Sequence, residues 1–181
     1  MNTHPHRSED DEDGFTFVEV MVSALLVAVF FASIFELNAL CLRYMDSSKE
    51  SLAALQSVQD RAEALRNLGF ANLTSVSFVR DTVMPANYTP DNTPTLFSKK
   101  ATEVVTIMKF PAPACDPCTP CYPCTRFTRS PNGSIATNFQ ATGLGAAGMV
   151  KVDVKVSWGM TLGGRARSEQ TSSIVSDGTK K

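Results

Sequence analysis

A long apolar run near the amino end dominates the pattern of hydrophobic and polar positions. Residues 15–35 carry one charged side chain, Glu19, among apolar, serine and threonine residues. As a helix, this run extends about 32 Å at about 1.5 Å per residue, enough to cross a hydrocarbon core of about 30 Å. We therefore predict that residues 15–36 form the transmembrane half of a helix.

A helical pattern continues beyond the apolar run. Apolar residues recur every three or four positions, and charged residues occupy the other face, as expected for a solvated surface. Gly69 is expected to end the helix, because glycine readily adopts the left-handed conformation after a last turn. We predict one helix over residues 15–68, with residues 37–69 as an amphipathic half. The apolar positions are Leu37, Cys41, Tyr44, Leu52, Leu55, Val58, Ala62, Leu65 and Leu68, and the charged face carries Asp46, Lys49, Glu50, Asp60, Arg61, Glu63 and Arg66.

The pattern after Gly69 changes to that of a small β domain. Residues 103–110 are rich in β-branched side chains and predict a strand. Valines and Trp158 alternate with polar residues over 150–158, as in a half-buried antiparallel strand, and residues 165–175 can return beside it. Residues 70–181 are therefore predicted to form an antiparallel β domain. The predicted fold class is α+β, with one long amino-terminal helix packed on a small antiparallel sheet.

Charge is divided unequally between the beginning of the chain and the rest. Residues 1–14 carry five acidic side chains against Arg7, whereas the remainder carries 16 basic and 13 acidic side chains. The excess of positive charge in the remainder is small and scattered. It does not favour nucleic-acid binding.

Glu19 is the chemically unusual residue of the apolar run. A carboxylate in a membrane segment costs several kcal/mol unless it has a partner, although a position near the interface or protonation would lower that cost. Residues 14–19 read Gly-Phe-Thr-Phe-Val-Glu and precede the apolar helix. This segment closely resembles the cleavage and methylation motif of type IV prepilins.

The resemblance implies a maturation route. A prepilin peptidase would cut between Gly14 and Phe15 on the cytoplasmic side, remove residues 1–14 as a leader, and leave Phe15 as an N-methylated amino terminus. Glycine fits a narrow cleavage site because it has no Cβ. The resemblance also implies that Glu19 neutralises the cationic Phe15 amine of an adjacent subunit and so sets the axial register in assembly.

Two further segments extend the resemblance to minor pilins and minor pseudopilins. Residues 59–70 look like the end of their first helix, and residues 152–175 are similar to their terminal hairpin. The implied function is that of a minor structural subunit of a type IV pilus or a type II secretion filament. The implied location is the inner membrane, as a single-pass protein with a periplasmic carboxy-terminal domain, followed by incorporation in the filament. The implied partners are other pilin or pseudopilin subunits, the prepilin peptidase and the membrane.

A cysteine and proline tract lies within the loop predicted over residues 111–125. Its spacing of two residues between cysteines also occurs in zinc and iron–sulfur sites, but zinc ligand pairs are usually further apart and no histidine is near. Outside the cytosol, disulfides are favoured. The interleaved prolines disfavour simple neighbour pairing, so pairing would skip a neighbour, use cis bonds or join chains. A loop with no defined role is the third alternative. The four cysteines are Cys115, Cys118, Cys121 and Cys124.

The sequence offers little for catalysis. His4 and His6 are its two histidines, and both lie in the segment predicted to be removed. We expect no enzymatic activity and no cofactor, and Cys41 is expected to be a small packing residue. The alternative to a filament subunit is a single-pass anchored periplasmic protein whose cysteine tract binds metal or exchanges disulfides.

Overall fold

A computed structural model describes residues 16–84, 97, 99–113, 115, 117–139, 141–160 and 163–178. It contains a 50-residue helix followed by a five-stranded sheet, which confirms the predicted α+β class. The helices are α1 (Phe17–Arg66), α2 (Phe70–Leu73) and α3 (Val76–Phe78), and α3 runs into a π-helical turn (Val79–Val83). The strands are β1 (Thr102–Lys109), β2 (Cys124–Arg129), β3 (Ile135–Phe139), β4 (Met149–Gly159) and β5 (Ala166–Ser176), with a 3₁₀ turn (Leu144–Ala146) before β4.

The chain divides into two compact units, one ending at Leu42 and the other beginning at Arg43. In the first unit, every described residue is exposed, although most are apolar. Among the described residues, α1 is the one helix long and apolar enough to cross a membrane. Such a surface requires lipid or other protein to cover it.

In the second unit, the later part of α1 packs on the sheet. Val58 and Leu65 are buried, as their spacing predicts. Leu52 and Leu55 were expected beside them but are 62 % and 43 % exposed, so that part of the predicted stripe is wrong. The small residues Ala53 and Ala54 are buried instead, together with Ser47 and Arg61. Alanines at the contact let the helix lie close to a sheet face that is already filled by valines.

The five strands form one antiparallel sheet in the order β3-β2-β1-β4-β5. Its helix-facing side carries Val105 and Ile107 from β1, Phe127 from β2, and the alternating valines of β4. Trp158 at the end of this row lies edge-to-face against Phe97, with ring centroids 5.6 Å apart. The predictions of β1, β4 and β5 are confirmed, and β4 and β5 pair without interruption from Met149–Ser176 to Gly159–Ala166.

Two boundaries differ from the predictions. The helix α1 ends at Arg66, and Gly69 has φ −59° and ψ 142° as the residue before α2, so its predicted left-handed conformation is wrong. Gly69 starts a new helical turn instead of closing the old one, since Asn72 and Leu73 donate backbone N–H groups to its carbonyl. The cysteine loop ends one residue before Cys124, where β2 begins.

Candidate functional site

The amino end of α1 holds the part of the predicted processing site that the structure describes. Gly14 and Phe15 lie outside the described residues, so the cleavage and methylation positions stay predictions. The N–H of Glu19 donates to the carbonyl of Thr16 at 3.0 Å and lies 3.4 Å from its Oγ1. Thr16 thus caps the helix, and the Thr-x-x-Glu spacing in the sequence is the signal that predicts such a cap.

Glu19 lies in the first turn of α1, where the positive end of the helix dipole favours a carboxylate. The residue is exposed, and so are its neighbours Phe17, Val18 and Val20. Within the described residues 16–35 it is the single charged side chain. A carboxylate on an apolar helix surface is costly to bury unless it is paired with a cation.

The four cysteines of the tract form two interleaved disulfides. Cys115 is joined to Cys121 and Cys118 to Cys124, with Cα–Cα distances of 6.6 Å and 4.7 Å. Each bridge skips one cysteine, which is the first of the pairing alternatives. The disulfide prediction is confirmed, and sulfurs that are paired in this way are not the thiolates that ligate metal.

The cysteine loop, which contains Cys115 to Cys124, packs on the side of the sheet that faces away from α1. Met108 of β1, Tyr122 and Cys124 form a small buried cluster there, and Cys115 and Cys118 pack against it. The Tyr122 hydroxyl donates to the carbonyl of Lys109 at 3.0 Å. Burial raises the pKa of the Tyr122 phenol above its usual value.

A tight backbone turn shapes the tip of the loop. Cys118 has a positive φ of 65°, which is uncommon outside glycine and reverses the chain direction. Its N–H donates to the carbonyl of Tyr122 at 2.9 Å, and the N–H of Tyr122 donates to the carbonyl of Thr119 at 3.0 Å. The tip is therefore held by backbone hydrogen bonds as well as by disulfides.

Cys41 is exposed, whereas a buried packing position was predicted. It is the free cysteine among the described residues, and its side chain is exposed, so the prediction of a packing residue is wrong for the single chain. The physical reason is that this part of α1 is exposed over its whole circumference.

A buried charge cluster, which no pattern in the sequence predicted, connects α1 to the sheet. Arg61 was predicted on the solvated face, but its side chain is 3 % exposed. Its Nε lies 2.5 Å from Oε1 of Glu103 on β1, and its Nη1 donates to the carbonyl of Val83. Arg129 on β2 donates to the other carboxylate oxygen of Glu103 at 2.5 Å. A local sequence pattern cannot predict the pair of Arg61 and Glu103, because the two residues are 42 positions apart in sequence.

The candidate functional residues lie in two parts of the chain. Glu19 lies in the first turn of α1, and the four paired cysteines lie in the cysteine loop. In the described part of the chain, no group of three or more histidine, cysteine, aspartate or glutamate residues is arranged to hold a metal ion. What remains is a helix whose exposed apolar part, residues 16–35, carries one carboxylate, and a loop on the sheet that is cross-linked by two disulfides. Compared with known proteins, the chain matches no family model, no curated protein and no solved structure.

Proposed function

We propose that this chain is a minor structural subunit of a filament, either a type IV pilus or a type II secretion pseudopilus, without enzymatic activity. The observation that carries the proposal is Glu19, the single charged side chain among the exposed residues 16–35 of the chain, four residues after Phe15 of the Gly14–Phe15 motif. The subunit would be held in the inner membrane by α1, processed by a prepilin peptidase, and then assembled through the same helix.

The physical argument begins with the cost of two separate charges. Cleavage after Gly14 would create a cationic amine on Phe15, and Glu19 lies four residues later on an apolar helix. In a low-dielectric environment each charge is costly alone, and pairing the amine of one subunit with the carboxylate of the next removes both costs. Because the two groups are about one helical turn apart, intersubunit pairing favours a fixed axial offset between neighbouring helices.

The cysteine loop supports a location of the β domain outside the cytosol. Two disulfides within ten residues require an oxidising compartment to form and persist. A periplasmic domain attached to an inner-membrane helix meets this requirement. The long connection between α1 and β1 supports a minor subunit, because a major subunit depends on a compact repetitive lattice.

The proposal is tested by comparing Glu19→Val with Glu36→Val, which removes a carboxylate from the same helix beyond the apolar run. In cells that contain the filament machinery, we expect Glu19→Val to reach the membrane at the normal level. Its incorporation into sheared filaments should fall at least about tenfold, which corresponds to about 1.4 kcal/mol of lost docking energy. Glu36→Val should assemble normally. Equal assembly of both variants would refute the assigned role of Glu19.

A second candidate is an anchored periplasmic protein whose cysteine tract binds metal or exchanges disulfides. The observation in its favour is the collection of four cysteines in one loop. Metal analysis of the purified chain, with and without reductant, tests the metal-binding form. One bound zinc per reduced chain would support it, and reduced chain without metal would remove it.

A further inference from the structure

The two disulfides of the cysteine loop differ in their exposure to solvent. In the first bridge, Cys121 is exposed and Cys115 is half-buried. In the second bridge, Cys124 is 2 % exposed and Cys118 is half-buried. Thiol–disulfide exchange begins when a thiolate reaches one sulfur of the bridge. The Cys115–Cys121 bridge is therefore open to attack at Cys121, and the Cys118–Cys124 bridge is shielded on one side by the sheet.

The two bridges also hold different parts of the loop. Cys118–Cys124 fixes the loop to the first residue of β2, within the cluster that includes Met108 and Tyr122. Cys115–Cys121 joins the beginning of the loop to its exposed tip. The hydrogen bond from Tyr122 to Lys109 and the two backbone hydrogen bonds of the turn involve neither Cys115 nor Cys121. We therefore expect the contacts of the loop with the sheet, through Met108, Tyr122 and Cys124, to remain when the exposed bridge is reduced.

Thr119 provides a hydrogen-bond donor at the exposed sulfur. Its Oγ1 lies 3.2 Å from Sγ of Cys121. A disulfide sulfur carries no hydrogen, so in the oxidised loop the hydroxyl is the donor. The same hydroxyl can donate to the Cys121 thiolate that appears when the bridge is reduced, and hydrogen bonds to a charged form stabilise that form. Thr119 thus favours the release of Cys121 as a thiolate, which is the last step in the reduction of this bridge.

We propose that Cys121 is the point at which a thiol–disulfide oxidoreductase with a Cys-x-x-Cys dithiol exchanges with this chain. In the reducing direction, a thiolate of the enzyme attacks Sγ of Cys121, the Cys115–Cys121 bond breaks, and Cys115 leaves as a thiolate that takes up a proton. The second enzyme thiol then attacks the mixed disulfide and releases Cys121. The enzyme dithiol is oxidised to a disulfide, and Cys115 and Cys121 gain two electrons and two protons.

The product of this exchange is a one-disulfide form of the loop. Cys118–Cys124 stays closed and keeps the cluster on the sheet, while Cys115 and Cys121 become free thiols. The reverse reaction, with an oxidised enzyme disulfide, closes the exposed bridge as the last step of loop oxidation. The exposed bridge is thus a modification site, and the shielded bridge is structural.

The order of opening is measured on the full chain in detergent micelles, with Cys41→Ser as background so that the loop cysteines alone react. The chain is treated with limiting dithiothreitol, and in parallel with a reduced Cys-x-x-Cys oxidoreductase. Samples are quenched in acid, alkylated with N-ethylmaleimide, fully reduced and alkylated with iodoacetamide. Trypsin yields one peptide from Phe110 to Arg126 that contains all four cysteines, so the first label must be located by fragmentation.

We expect Cys115 and Cys121 to carry the first label at least about tenfold sooner than the other pair, because access governs which sulfur is attacked. First labelling of Cys118 and Cys124, simultaneous labelling of both pairs, or labelling of any mixed pair would overturn the proposal. Thr119→Val should slow the release of Cys121 from its mixed disulfide with the reductant and leave the reduction of the shielded bridge unchanged. An unchanged rate in that variant would overturn the role of Thr119.

Matched double variants keep the test independent of loop folding. Cys115→Ser/Cys121→Ser retains the shielded bridge and should reduce slowly, while its unfolding temperature stays close to that of the parent. Cys118→Ser/Cys124→Ser retains the exposed bridge and should reduce quickly. Fast reduction of the first variant and slow reduction of the second would contradict the assignment.

Discussion

Glu103 connects three elements through one buried carboxylate. It accepts hydrogen bonds from Arg61 of α1 and Arg129 of β2, and Arg61 also donates to the carbonyl of Val83. The carboxylate compensates two cations that are largely removed from water. Such a cluster adds less net stability than its contacts suggest, but it is costly to break because the remaining charges stay buried.

We predict that Glu103→Gln lowers the free energy of unfolding by about 3–5 kcal/mol, since it removes the charge of the carboxylate that both largely buried guanidinium groups contact. Denaturant unfolding of the full chain in micelles, followed by circular dichroism, measures the change. The control is Arg80→Gln, which breaks the exposed pair with Asp81 and should not change stability measurably. Equal midpoints for both variants would contradict the importance of the buried cluster.

Tyr122 gives a prediction at alkaline pH. Because its pKa is raised by burial, the folded chain keeps the phenol proton at pH values where the unfolded chain has lost it. Its contribution to stability is therefore complete below about pH 10 and is lost as the pH rises toward the folded pKa. Tyr122→Phe should remove this alkaline loss and one late-titrating tyrosine from the phenolate absorbance curve. A curve with the late tyrosine still present would contradict the assignment.

At the scale of elements, the sheet was easier to predict than the helix contact. The alternation of valines with polar residues identified β4, and its partner β5 followed because a glycine-rich turn separates them. The strand β2 was not predicted because its start, Cys124, belongs to the proline-rich tract, and its pairing with β1 is set by contacts distant in sequence. Local patterns contain strand periodicity but not the identity of a remote partner.

The buried face of α1 shows the same limit. A period of three to four residues selected Leu52 and Leu55, but the sheet contacts the neighbouring alanines. The charge of Arg61 predicts an exposed position, but its side chain is buried because it pairs with Glu103 on a strand far along the chain. The helix and its length were thus predictable, whereas its rotation relative to the sheet was not.

We predict opposite outcomes for two leucine substitutions in α1. Leu65 is fully buried, so Leu65→Ala should lower the free energy of unfolding by about 2–5 kcal/mol through lost burial and a cavity. Leu52 is exposed, so Leu52→Ala should change it by less than about 0.5 kcal/mol. Thermal unfolding of the two variants side by side provides the measurement. Similar destabilisation by both would mean that the predicted stripe, and not the described face, packs on the sheet.

At the scale of the whole molecule, the proposed function combines an exposed apolar helix with a disulfide-linked β domain. The helix requires lipid or other helices around it, and the loop requires an oxidising compartment. A membrane-anchored subunit that later enters a filament satisfies both requirements. In the proposed function, residues 1–14 are a leader that a prepilin peptidase removes, and the filament role requires this cleavage.

The mass of the mature amino terminus tests this central claim most directly. The chain is recovered from membranes of cells that contain a prepilin peptidase, and its intact mass and amino-terminal peptide are measured. We predict loss of residues 1–14 and a gain of about 14 Da on Phe15 from one methyl group. As the control, Gly14→Val should retain the leader, because a side chain at that position collides with a narrow site. A parent chain that still begins at Met1 would contradict the filament assignment.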